Sequence, residues 1–143
     1  MARVAALVNA TNQDVRPLKQ RGGKIIHYHG WADPAATPLM SIEYYESVLK
    51  AMGEKETRQF YRLFMIPGMA HCGGGVGCGT VDWLTPIVAW VEQGTAPEKL
   101  IGARVVEGVT KRTRPLCPYP QVAKYTGTGS VDAAENFTCM TSK

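Results

Sequence analysis

The spacing of apolar residues changes period several times along the chain, and each change marks an element. The polar stretch after Thr11 or Asn12, either of which can cap a helix, predicts a short helix through Gln20, stopped by Gly22 and Gly23. Lys24–His29 is a compact apolar and aromatic run ended by Gly30, the signature of a short buried strand. Thr37-Pro38 supplies an N-cap followed by proline at the first helical position. Leu39, Ile42, Tyr45, Leu49 and Met52 then recur at helical spacing until Gly53 ends the run. Phe60–Ile66 predicts a second buried strand, closed by Pro67-Gly68, which cannot continue a ladder. Asp82 or Thr80 opens a further helix, with Trp83, Leu84, Ile87, Val88 and Val91 as its expected buried stripe and Gly94 as its stop. Gly102–Glu107 and the segment around Arg112–Leu116 predict a small hairpin, and a tail rich in Pro, Gly and Thr follows.

Strand, helix and strand in this order place the two strands parallel, so the loops that follow them emerge at the same sheet edge. Asp33 lies in the first of these loops, within Gly30-Trp-Ala-Asp-Pro34. His71 lies in the second, Met65-Ile-Pro-Gly-Met-Ala-His-Cys-Gly-Gly-Gly75. A strand that stops and delivers a histidine into a glycine-rich loop suits a general base, with a rigid scaffold below and open space above. An acid followed by a base at one sheet edge is the order of the α/β-hydrolases, Ser…Asp/Glu…His.

Four stretches, GGKIIHYHGWADP, FYRLFMIPGMAHCGGG, DWLTPIVAWVEQGTAPEKLIGAR and RPLCPYPQVAKYTGTG, closely resemble the carboxy-terminal part of the tannase/feruloyl esterase family. The resemblance runs from about Asn12 to Cys139. It implies an α/β fold: the last parallel strands of an α/β-hydrolase with flanking helices, plus a small hairpin and a disulfide-bound tail. It further implies that Asp33 is the acid and His71 the base of a Ser-His-Asp triad cleaving esters of aromatic acids such as gallic and hydroxycinnamic acids. By the same resemblance Cys117 pairs with Cys139, and Cys72 pairs with a cysteine beside the nucleophilic serine. That serine is not among Ser41, Ser47, Ser130 and Ser142, none of which lies in a Gly-x-Ser-x-Gly elbow or follows a cysteine. The chain is therefore expected to be a C-terminal piece of a longer esterase, nearly inert alone. One domain over 1–143 is expected: a flexible start over 1–11, a strand and helix core over 12–101, and the hairpin and tail over 102–143.

Composition agrees with a globular unit. At 143 residues and 45% hydrophobic the chain can bury an ordinary core. The net charge of +4 is dispersed apart from Lys111-Arg-Thr-Arg114, which argues for solubility and against a nucleic-acid partner. No apolar run approaches membrane-spanning length. The start, Met-Ala-Arg-Val-Ala-Ala-Leu-Val, is too short in apolar residues for a signal peptide. Four cysteines nonetheless favour an oxidising compartment, secreted or periplasmic. They can pair in three ways, and for Cys72 a partner in a missing N-terminal part and Cys78 both stand as candidates.

Other residues have two readings each. His27 and His29 alternate on one strand face and could bind zinc with Cys72 or Cys78, but no pair has zinc-knuckle spacing, so no metal and no cofactor is expected. His29 is better placed to hydrogen-bond locally and shape the Asp33 turn. Trp31 either supports a phenolic ring by stacking or packs under its loop. The glycines at 73–75, 77 and 79 lack the Gly-Lys-Ser/Thr of a phosphate loop and make room for backbone instead. Asn9-Ala-Thr11 and Asn136-Phe-Thr138 match glycosylation sequons, which carry meaning only outside bacteria. A non-catalytic binding or self-assembling module derived from a hydrolase half is the competing reading. In either case Lys24–His29 should present an unpaired edge, with Ile25, Ile26, Phe64 and the Trp83–Val91 stripe only partly covered. That edge calls for a homo-oligomer or a complementary N-terminal segment carrying the nucleophile.

Overall fold

The computed structural model describes Val4 and residues 8–141. Most of the expected flexible start therefore lies outside the described residues, as does Ser142. The first helix, α1, is Arg16–Gln20. It begins later than the capping pattern predicts because Asn12 and Asp14 spend their side chains on local turns: Asp14 N donates to Asn12 Oδ1 and Arg16 N to Asp14 Oδ1. Strand β1 is Ile25–Gly30, helix α2 Pro38–Met52, a single turn α3 Glu54–Thr57, and strand β2 Tyr61–Ile66. The two strands pair in parallel, in register from Ile25 with Tyr61 to Gly30 with Ile66.

Each face of this pair has its own cover. Tyr61 and Leu63 point to one side and meet Tyr45 and Val48 of α2, all fully or almost fully buried. Phe64 and Ile66 point to the other and meet Met69, Leu100 and Leu116. Arg62, an apparent break in an apolar strand, is itself buried: its guanidinium lies 5.3 Å from the Trp90 ring and bonds Glu98 at 3.0 Å.

A second sheet supplies that far cover. Strands β3 (Thr80–Val81), β4 (Leu100–Val106) and β5 (Val109–Leu116) run antiparallel in the order β3-β4-β5. The β4–β5 turn is Glu107-Gly108, both at positive φ, which suits a tight hairpin. Helix α4, Leu84–Gln93, lies between β3 and β4, and Asp82 Oδ1 accepts from the Leu84 and Thr85 amides as its cap. The tail folds as its own hairpin, β6 (Gln121–Tyr125) with β7 (Phe137–Thr141), which its composition did not disclose. The disulfide Cys117–Cys139 ties this hairpin to the end of β5.

The edges bear out part of the expectation and correct part. Among the described residues β1 has no strand partner beyond β2, while β2 is flanked on its other side by Pro118 and Tyr119, whose amide donates to Leu63 O at 2.8 Å. Ile25 and Ile26 are half-buried, as expected. Phe64 is not: it is fully buried, because β4 and β5 fold over its face. Read as a buried face the α4 stripe is corrected, and read as only partly covered it is as expected, with Trp83 and Ile87 half-buried. Trp90 is the buried residue of that helix, held under Lys24 and Arg62. Leu84, Val88 and Val91 face outward, exposed by 71%, 40% and 55%.

Candidate active site

The loop after β1 is drawn against the loop after β2 by close backbone packing. Trp31 N donates to Ile66 O at 2.9 Å and Ala32 N to Met69 O at 3.0 Å. Gly30 permits this: a Cβ there would lie 2.2 Å from Met69 O, against backbone that cannot yield. The second loop doubles back on itself. Met69 and Gly75 form a bridge, Gly77 N donates to Gly68 O at 2.9 Å, and a Cβ on Gly75 would lie 2.3 Å from Gly68 O. His71 sits at the tip of this fold, followed by Cys72 at a φ of 56°.

The two loops bring Asp33 and His71 together. Asp33 Oδ2 accepts from His71 Nδ1 at 2.8 Å. The same oxygen accepts from His29 Nε2 at 3.1 Å, so His29 shapes the acid-bearing turn. Asp33 Oδ1 accepts from the amides of Ala35 and Ala36 at 2.8 and 3.0 Å. These donors, the Ala36 amide first, hold the carboxyl well below the usual carboxylate range although burial opposes them. The Asp33 side chain is 4% exposed and that of His71 56%. A buried, ionised carboxylate thus grips one nitrogen of a ring whose Nε2 remains for an incoming group. Tyr28, His29, Gly30, Asp33, Ala36, Met69, His71 and Cys72 enclose a hollow of about 250 Å³ here.

A second polar group lies behind the pair. His29 Nδ1 is 2.7 Å from Ser41 Oγ, Ser41 Oγ is 3.0 Å from His27 Nε2, and His27 Nδ1 is 2.8 Å from Tyr61 Oη. Both rings of the suggested zinc ligands are thereby engaged with side chains rather than left open. Ser41, set aside for want of an elbow motif, and Tyr61, read only as core, are members that the sequence did not reveal. The sole signal was two histidines at i and i+2 on a strand. Burial pushes the His27 imidazole below its ordinary value, with His29 adding to the effect. The folded chain therefore keeps His27 neutral while the unfolded chain binds a proton near pH 6.5. Stability falls as pH drops through that value, and the Asp33 contribution is lost only at lower pH, below the ordinary carboxylate range. We expect the melting temperature to fall between pH 7 and pH 5 and the fall to shrink in His27→Gln. An unchanged pH slope in that variant contradicts the assignment.

Of the remaining sequence candidates Cys72 lines the hollow beside His71, and the others fall elsewhere. Trp31 is 45% exposed and turns away from the hollow into a larger cleft of about 480 Å³, lined also by Met65, Leu116, Tyr119, Arg114 and Phe137. Cys72 is exposed and free, and Cys78 is free and buried with its Sγ 3.8 Å from Arg112 O. The alternative pairing of Cys72 with Cys78 is therefore corrected: Cys78 is turned inward toward β5. The Cys117–Cys139 disulfide suits an oxidising compartment.

Parallel strands whose successive loops present a carboxylate and then an imidazole define the class: the C-terminal part of an α/β-hydrolase fold. The pattern of the family described as tannase and feruloyl esterase matches residues 1–140, and the chain belongs to that family of esterases. It is similar to the mono(2-hydroxyethyl) terephthalate hydrolase of Piscinibacter sakaiensis, 47% identical over 91% of this chain and 22% of that protein. A probable feruloyl esterase of Arthroderma benhamiae is 41% identical over 93% of this chain and 26% of its own length. Among solved structures, feruloyl esterase B from Aspergillus oryzae superposes with a TM-score of 0.80 at 33% identity, over 90% of this chain and 29% of that one. The chain thus spans 22% to 29% of the length of these relatives.

Proposed function

We propose that the chain supplies the acid and base of a serine-type carboxylesterase acting on esters of aromatic acids, with the serine carried by a segment N-terminal to the fold described. The observation that carries this reading is the 2.8 Å contact between a buried Asp33 and an exposed His71 on successive strand-end loops. His71 Nε2 takes the proton of the serine hydroxyl and returns it to the leaving alcohol. Asp33 holds the ring with its proton on Nδ1 and stabilises it when charged. The names of the relatives, which specify terephthalate and feruloyl esters, support an aromatic acyl group. Cys72, exposed beside His71, is available to a cysteine next to that serine. An enzyme of this kind is secreted or periplasmic. No cofactor enters the reaction. The test is a chimera in which this chain replaces the matching segment of the Piscinibacter sakaiensis hydrolase, assayed on aromatic esters beside its Asp33 and His71 variants. Failure of a folded chimera to hydrolyse them refutes the reading.

The open edge of β1, the exposed Leu84, Val88 and Val91, and Tyr28 stacked 4.2 Å from Trp83 support a covering partner. In the esterase that partner is the nucleophile-bearing segment; with the chain alone, a second copy takes its place. Light scattering of the isolated chain is expected to give a dimer or larger assembly, and a stable monomer at micromolar concentration contradicts this. The same surface would serve a non-catalytic assembling module, which leaves the Asp33–His71 contact without a use.

A further inference from the structure

We propose that Tyr61, His27, Ser41 and His29 form a one-way hydrogen-bond relay that fixes the orientation of Asp33, with His29 as its positioning residue; the catalytic use of that orientation rests on the esterase reading above.

The direction of the relay follows from what each atom can do. An ionised carboxylate only accepts, so His29 Nε2 and His71 Nδ1 both carry protons toward Asp33 Oδ2. A neutral His29 then has a bare Nδ1, which accepts the Ser41 hydroxyl at 2.7 Å. With its proton committed, Ser41 Oγ accepts the Nε2–H of His27 at 3.0 Å. His27 Nδ1 is bare in turn and accepts the Tyr61 hydroxyl at 2.8 Å. Every donor has an acceptor, and all point toward Asp33. The far end is secure: Tyr61 is 2% exposed and burial keeps its phenol protonated, while burial also keeps His27 neutral.

The arrangement is more than a filled core. Ser41 is 8% exposed, and the pocket between β1 and α2 could hold apolar side chains with no polar groups to satisfy. What the relay adds is a fixed point for Oδ2. The other oxygen is pinned by the Ala35 and Ala36 amides, whereas Oδ2 without His29 would depend on an imidazole 56% exposed on a loop tip. His29 holds the carboxylate in place while His71 moves and changes charge. Because the members come from β1, α2 and β2, rotating Asp33 breaks a chain of bonds anchored in three elements.

The test has two arms. Long-range proton–nitrogen NMR reports which ring nitrogen carries the proton, and the chain has only three histidines to assign. At mildly alkaline pH we expect His27 and His29 protonated at Nε2 and His71 at Nδ1. Ser41→Ala, which removes one oxygen, should leave His29 protonated at Nε2, where Asp33 and the Ala36 carbonyl accept. His27 loses the acceptor of its Nε2–H and should become a mixture of tautomers. A His29 protonated at Nδ1 in the unaltered chain, or a His27 whose tautomer is unmoved by Ser41→Ala, overturns the relay. In the chimera, Ser41→Ala should lower kcat roughly 10- to 100-fold with KM little changed, since misplacement at a distance acts on the chemical step. Ser41→Thr, which keeps the hydroxyl, should recover most of it. An unchanged kcat, or a loss confined to KM, overturns the positioning role. A chimera that shows no hydrolysis at all refutes the esterase reading instead, and the tautomers then judge the relay alone.

Discussion

Asp33→Asn lowers ester hydrolysis by the chimera about 10⁴-fold while leaving its fold intact. The fold survives because an asparagine Oδ1 still accepts from the Ala35 and Ala36 amides, the bonds that shape the turn. The chemistry does not, because the group facing His71 Nδ1 becomes an amide N–H donor. The ring answers by moving its proton to Nε2, where it can no longer take one from a serine. The asparagine also presents a donor to His29 Nε2, so the second support is lost with the first. His71→Ala removes the base outright and should cost more than Asp33→Asn, about 10⁶-fold. Combining the two should cost little more than the worse one, since the residues act as a unit. Single-turnover hydrolysis of a chromogenic aromatic ester, with circular dichroism as the check on folding, measures all three. An Asp33→Asn chimera keeping a tenth of the activity would falsify the acid assignment.

How much of this could be read in advance depends on the range of the interaction involved. β1, β2 and α2 were legible to within a residue or two because their periods, the Thr37-Pro38 start and the Gly53 stop are local. That Asp33 and His71 would face one sheet edge followed from parallel strands alone. The relay did not follow, since Ser41 reaches His27 and His29 only through the rotation of α2 against β1, which no spacing specifies. The reading of the α4 stripe as buried failed for a related reason, while its expected partial cover held. Periodicity identifies an apolar face on Leu84, Val88 and Val91 but does not say whether anything lies over it. Trp90 was passed over because its cover is two cations, Lys24 and Arg62, rather than an apolar neighbour. The β6–β7 hairpin escaped because its residues are mostly exposed, so no alternation of buried and solvated positions betrays it.

That same exposure makes the tail the part of the fold most dependent on its disulfide. A two-stranded hairpin is marginal in water, and Val122 and Met140 of this one are exposed by 48% and 41%. Its other anchors are few: Arg112 bonds Asp132 at 2.6 Å, Thr113 N donates to Asp132 O and Ala134 N to Thr113 Oγ1, each at 2.9 Å, and the Arg114 guanidinium lies 4.2 Å from the Phe137 ring. Arg112–Asp132 is half-exposed and contributes less than its short distance suggests. Cys117 and Cys139 are 22 residues apart, and closing a loop of that size restricts the unfolded chain by about 3 kcal/mol. Cys117→Ser/Cys139→Ser should therefore lower stability by that amount, roughly 10 °C in melting temperature for a chain of this size. The loss should begin locally. Amides of β6 and β7 should exchange first, while those of β1 and β2 keep their protection, because Tyr45, Leu63 and Phe64 close their faces without the tail. Between the two lies Pro118-Tyr119, which flanks β2 immediately after Cys117 and should loosen to an intermediate degree. Hydrogen exchange followed by mass spectrometry reads all three zones. Tail amides as well protected in the double serine variant as in the oxidised chain would mean that the ion pair and the Arg114–Phe137 stack hold the hairpin without the covalent bond.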